Sequence, residues 1–129
     1  MKTYALRLKP GQDLRLELEA FAASRHMQAG LVITCVGSLA QAALRMADAE
    51  SSTRLQGKFE IVSLVGTFGP DGPHLHISIS DSQGRMYGGH LQHGSLIYTT
   101  AEIVLGELKD VTFRRRHDPD TGYDELSIE

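Results

Sequence analysis

The stretch His74-Leu75-His76-Ile77-Ser78-Ile79-Ser80-Asp81, followed by Gly84 and by Gly88-Gly89-His90, carries most of the information in this chain. Residues two apart on a strand share a face. Leu75, Ile77 and Ile79 therefore point to a core, while His74, His76, Ser78 and Ser80 share the opposite face. If Ser82-Gln83-Gly84 is a three-residue hairpin loop, Gly84 takes the left-handed position of a type I turn plus bulge. Asp81 then lies opposite Arg85, Ser80 opposite Met86, Ser78 opposite Gly88 and His76 opposite His90. Directly opposed residues share a face, with Cβ atoms about 4.5–5.5 Å apart. A one-residue slip would send His90 to the core side, whereas a two-residue slip keeps the faces. One hairpin can thus gather His74, His76 and His90. Three nitrogen ligands with an open fourth position describe a catalytic-type zinc site, and another divalent transition metal would also suit imidazole. The alternative is three hydrogen-bonded polar histidines. His93, in a glycine-bounded loop, reads as a loop histidine that could replace one of the three.

The rest of the chain supplies a frame for this hairpin. Its 129 residues suit one domain spanning 1–129 and a sizeable core. A hydrophobic content of 41% with 22% charged residues is that of an ordinary globular protein. No apolar run has the length to cross a membrane, and Met1 to Leu8 alternates too early for a signal peptide. The expected location is cytoplasmic. The single Cys35, inside the apolar run Leu31 to Val36, reads as a small buried hydrophobe.

Thr3 to Leu8 reads as a strand with Tyr4, Leu6 and Leu8 on one face. Asp13 can cap a helix in which Leu14, Leu18, Phe21 and Ala22 recur at helical spacing, with Gly30 as its stop. Leu31 to Val36 is a buried strand that Gly37-Ser38 breaks. Leu39 to Ala47 is ambiguous, because its alanines favour a helix. Asp48 to Thr53 is a polar loop. Phe59 to Phe68 is a strand bounded by Gly57 and Gly69-Pro70, and Asp71-Gly72-Pro73 turns the chain into the histidine hairpin. Thr99 to Leu105 is a further strand, and Val111 to Arg116 with Tyr123 to Ile128 forms a closing hairpin. One main helix and seven or eight strands make an α+β fold with a largely antiparallel sheet.

Several side chains are candidates for chemistry beside the histidines. Glu102 alternates with Ala101 and Ile103, and reads either as a fourth ligand or general base, or as a solvent-facing glutamate. Tyr87 is a second candidate for moving protons. Arg45 and Arg85 could hold an anionic substrate or form surface ion pairs. Arg114-Arg115-Arg116 is the one basic run. It reads as a solvated edge strand or as a nucleic-acid patch. The formal net charge of −3 argues against a protein whose main task is gripping phosphate backbones.

Gly57-Lys58-Phe59-Glu60-Ile61-Val62-Ser63-Leu64-Val65-Gly66-Thr67-Phe68 resembles the signature of the PPC domain, the plant and prokaryote domain. So do the hairpin from His74 through Gly88-Gly89-His90-Leu91, the segment Thr99-Thr100-Ala101-Glu102 and the early Gly37-Ser38. The resemblance implies a stand-alone PPC-like α+β domain that assembles as a homotrimer, with Leu39 to Arg45 a strand. In plants the domain follows an AT-hook arm that reads DNA, and this chain carries no such arm. Prokaryotic members are often labelled as DNA-binding, which makes a DNA-associated regulator one expectation; Arg114, Arg115 and Arg116, repeated in a trimer, would then form its contact ring. The fold is also similar to that of acetolactate decarboxylase, where a His-x-His strand and a later histidine hold zinc. That likeness implies His74, His76 and His90 as ligands. Three functions follow as expectations: a metal-binding protein that could be a metal-dependent small-molecule enzyme, a DNA-associated regulator, or an assembly module without chemistry.

Overall fold

The computed structural model describes residues 1–129. It contains β1 (Lys2–Leu8), α1 (Leu14–Ser24), β2 (Gly30–Arg45), β3 (Thr53–Gly69), β4 (Gly72–Ser80), β5 (Met86–Leu91), β6 (Leu96–Glu107), β7 (Phe113–His117) and β8 (Asp124–Ile128). Six strands pair antiparallel in the order β1-β6-β2-β3-β4-β5, and β7 and β8 form a separate two-stranded ribbon. No helix is long and apolar enough to cross a membrane.

The sheet does not lie open. The C-terminal ends of β2 and β5 pair through Leu44↔Leu91 and Arg45↔His90, so β2, β3, β4 and β5 close on themselves. The period of two sends one set of side chains inward. Leu44, Phe59, Ile61, Leu64, Ile77, Ile79 and Leu91 fill that interior, and Leu14 and Leu18 of α1 join the same core. The opposite face carries the histidines.

Asp13 starts α1 as its sequence position suggests. Its carboxylate accepts from the Leu16 N–H at 3.1 Å, and also from the Gly94 N–H at 2.6 Å, which ties the loop before β6 to the helix. Replacing Asp13 by Ala is expected to cost about 1–2 kcal/mol, read as a shift in the urea midpoint with an unchanged slope.

Four local expectations need correction. Leu31 to Val36 is not buried throughout, because β2 presents one of its two faces outward there and leaves Ile33 and Val36 exposed. The helix ends at Ser24, not at Gly30, with His26 in the left-handed region at φ 52°. Gly30 instead opens β2 beneath the Phe68 ring, where a side chain would collide with it. Gly37-Ser38 does not break β2. The strand runs on for 16 residues, because it pairs with β3 on one side and β6 on the other along most of its length. Gly57 lies inside β3, not at its boundary. Leu39 to Arg45 is strand, so two flanking ladders override the local preference of its alanines for helix.

Candidate metal centre

The hairpin has the register that the alternation and the turn require. His76 pairs with His90, Ser78 with Gly88 and Ser80 with Met86. Gly84 occupies the left-handed position at φ 79°, and the Asp81 carboxylate accepts from the Gln83 and Arg85 N–H groups at 2.9 Å each. This tightens the turn and sets the phase of both strands.

Two close backbone approaches place the histidine-bearing strands. Gly66 on β3 lies against β4, where a Cβ would stand 2.1 Å from the His74 carbonyl oxygen. Gly89 on β5 lies against β2, where a Cβ would stand 2.8 Å from the Arg45 carbonyl oxygen. The second approach lets β5 touch β4 and β2 together, so His90 stands beside both His76 and Arg45.

One nitrogen from each of His74, His76 and His90 lies within 4.8 Å of the others. His74 Nε2 and His76 Nε2 are 3.2 Å apart. With zinc–nitrogen bonds of about 2.0–2.1 Å, a tetrahedral pair of nitrogens is separated by about 3.3 Å. The pair therefore has the spacing of two ligands, a distance that also suits a hydrogen bond between the two rings, and the third nitrogen lies within the same 4.8 Å cluster. The His74 and His90 rings stack with 9° between their planes, and His76 stands edge-on to both. His74 and His76 are exposed and His90 is half-buried, which leaves an open approach on the outer side.

Metal binding needs neutral imidazole. Partial burial, and then the Arg115 and His76 charges, lower the pKa of His74, while Glu125 opposes them. Burial, and then the Arg45 charge, lower that of His90. Folding thus favours the neutral form of both rings. Where a folded pKa lies below the ordinary 6.5, the unfolded chain takes up protons first as pH falls. The metal-free protein should therefore feel no penalty from these rings above about pH 6.5, and lose stability progressively below it. Thermal melts across pH 7.5 to 5 check this. Replacing His74 and His90 by Gln should flatten the loss.

The other candidates fall elsewhere. Glu102 is exposed on β6, paired with Arg7 and Val36. Two strands separate β6 from β4, about 14 Å at the usual strand spacing, so within one chain Glu102 does not reach the triad. Tyr87 lies on the core side of β5, edge-on to Phe59 at 6.2 Å, and is not placed to serve the site. Arg85 pairs with Asp81 at 2.7 Å at the hairpin tip. His93 contacts Glu19 at 2.8 Å, away from the triad. Burial pushes the Cys35 thiol up to about 12, so it is no nucleophile.

The basic run behaves differently from a solvated strand. Asp71, at the turn before β4, accepts from the Arg115 N–H and from Arg114 Nε, each at 2.9 Å. These two bonds hold its carboxyl below the usual carboxylate range. Arg115 Nη2 donates to Thr67 Oγ1 at 3.3 Å, and Thr67 is the ladder partner of His74. The β7–β8 ribbon is therefore docked at the triad. No local signal announces this, because the contact joins residues more than 40 positions apart.

A mostly antiparallel α+β domain, with three imidazoles gathered on the outer face of a closed sheet, defines the class to which this molecule belongs. The chain belongs to the Plants and Prokaryotes Conserved (PCC) domain family, whose model matches residues 1–109. It is 54% identical over 129 residues to a protein from Synechococcus sp. (strain JA-3-3Ab) named bifunctional protein GlmU, covering 100% of this chain and 21% of that protein. The chain thus spans about a fifth of the length of the first curated relatives it matches. It is 30% identical over 122 residues to the AT-hook motif nuclear-localized protein 20 of Arabidopsis thaliana, covering 89% of this chain and 43% of that protein. Among solved structures, a hypothetical protein from Salmonella cholerae-suis (Salmonella enterica) superposes with TM-score 0.97 at 45% identity, covering 99% of this chain and 93% of that one. A metal-containing protein from Archaeoglobus fulgidus superposes with TM-score 0.81 at 26% identity, covering 98% and 94%.

Proposed function

We propose that this protein binds one divalent transition metal ion, with zinc as the first choice, through His74, His76 and His90, and that it does so as a homotrimer. The 3.2 Å separation of the His74 and His76 nitrogens, with His90 Nδ1 or Nε2 inside the same 4.8 Å cluster, carries the reading. Similarity to the Archaeoglobus protein, which is described as metal-containing, supports it. When bound, the ion would supply a Lewis acid with an open coordination position. The protein's own strand pairing orients the three rings, and partial burial beside arginine charge favours the neutral form of His74 and His90. Elemental analysis of untagged, dialysed protein tests the reading. About one ion per chain is the expected result, and no transition metal after incubation with zinc would end it.

Self-association is supported by apolar side chains on the same outer face, and the number three comes from the family resemblance alone. Val36, Val62 and Val65 are each more than half exposed, and Val65 is the ladder partner of His76. Such a patch is unusual for a surface in permanent contact with water. Light scattering coupled to gel filtration checks the assembly, and a mass near the 14.1 kDa of one chain would overturn it.

DNA association is the second reading, and kinship with the Arabidopsis AT-hook protein is its support. On this chain Arg114 is paired with Asp71, and Arg116 with Glu129 at 2.9 Å. Phosphate contacts release counterions, so DNA binding must weaken steeply with salt. A flat salt response, or no binding at low salt, removes this reading.

A further inference from the structure

A groove of about 1030 Å3 runs from the triad to the β7–β8 ribbon. His74 and His90 line it, together with five arginines: Arg15, Arg45, Arg114, Arg115 and Arg116. Three of these are neutralised by carboxylates. Arg15 pairs with Glu19, Arg114 with Asp71 and Arg116 with Glu129. The guanidiniums of the other two bond only to neutral oxygens, Arg45 to the Ala49 carbonyl at 3.3 Å and Arg115 to Thr67 Oγ1 at 3.3 Å, although the Arg115 backbone N–H also donates to Asp71. These two are also the ones nearest the histidines by ladder position. Arg45 is the register partner of His90, and Arg115 bonds the residue paired with His74. The two uncompensated guanidiniums therefore flank the triad from opposite sides.

We infer that this groove binds a small molecule bearing an oxyanion group, a carboxylate or a phosphate, which Arg45 and Arg115 grip beside the three histidines. A guanidinium offers a planar fork of donors that matches such a group. The inference rests on the metal reading only for the second partner of the oxyanion, the ion itself; the grip by the two arginines stands without it. The groove's carboxylates define the size of the ligand. Asp48, Glu50 and Asp124 are exposed along it, and Glu125 is half-buried near His74. An extended polyanion such as nucleic acid would meet these charges, whereas a small anion beside the histidines contacts the two arginines. Arg115 belongs to the ribbon beyond residue 109, so the residues outside the family match complete the site.

Calorimetric titration with malonate and, separately, inorganic phosphate tests this on zinc-treated full-length protein and on metal-free His76→Ala protein. At least one of the two anions should bind the wild-type chain, and which one binds better identifies the group. Arg45→Gln and Arg115→Gln should each weaken binding about tenfold, the usual scale for one charge-assisted contact. Arg115→Lys should fall between, because it keeps the charge and loses the fork. Arg85→Gln, at the hairpin tip, should change nothing, and Glu125→Gln should tighten binding by removing a like charge. Arginine-dependent binding that persists in the metal-free variant supports the grip even if no ion is found, which separates this inference from the metal reading. Neither anion binding to the wild-type chain, or equal binding by Arg45→Gln, Arg115→Gln and the wild type, overturns it.

Discussion

Replacing His76 by alanine is expected to lower metal affinity by at least about 100-fold while leaving the fold within about 0.5 kcal/mol of wild type. His76 is the central member of the cluster. Its nitrogen stands 3.2 Å from that of His74, and its ring centre lies 4.4 Å from that of His90. Without it, His74 and His90 remain as two stacked rings 5.4 Å apart, a pair with no third nitrogen to complete a binding face. The side chain is exposed and makes no bond to the core, so its loss leaves no cavity. Elemental analysis, paired with urea unfolding of the same preparation, separates the two effects. Metal retained at the wild-type level would remove His76 as a ligand. Metal lost together with several kcal/mol of stability would show that the residue holds the fold rather than an ion.

Gly66→Ala should act in the opposite manner, through the backbone. A methyl group there would stand 2.1 Å from the His74 carbonyl oxygen and 2.9 Å from the Leu75 Cα, both backbone atoms that cannot rotate away. The residue also sits at φ 147°, where side chains are strained. β3 and β4 must separate locally, which displaces His74 from His76 and loosens Leu75 in the core. The expected cost is about 3 kcal/mol, with metal affinity lost alongside stability. A urea midpoint within experimental scatter of wild type would show that the two strands are not held so close.

These two substitutions illustrate how differently the parts of the site are written in the chain. The His74-x-His76 strand, its turn and the position opposite His90 follow from alternation and from one glycine at a left-handed position. Both signals are local, so the register is legible without the fold. The importance of Gly66 is not, because its neighbour is a carbonyl on another strand. Glu102 shows the converse. Its alternation with Ala101 and Ile103 marks it as outward-facing, and it is, but two intervening strands keep it from the triad. Tyr87 was one residue out of phase with His90, and alternation alone put it on the core side.

What the sequence determined by itself is the α+β class, the strand phases and the gathering of three imidazoles on one hairpin face. Each depends on a period of two or on turn chemistry, which neighbouring residues enforce. Tertiary structure alone decided three things: that β2 continues through Gly37, that β5 closes onto β2 and brings Arg45 beside His90, and that the β7–β8 ribbon docks on Asp71 with Arg115 beside His74. Each joins segments distant in the chain. The energy that selects them comes from ladder pairing and burial, which no local pattern records.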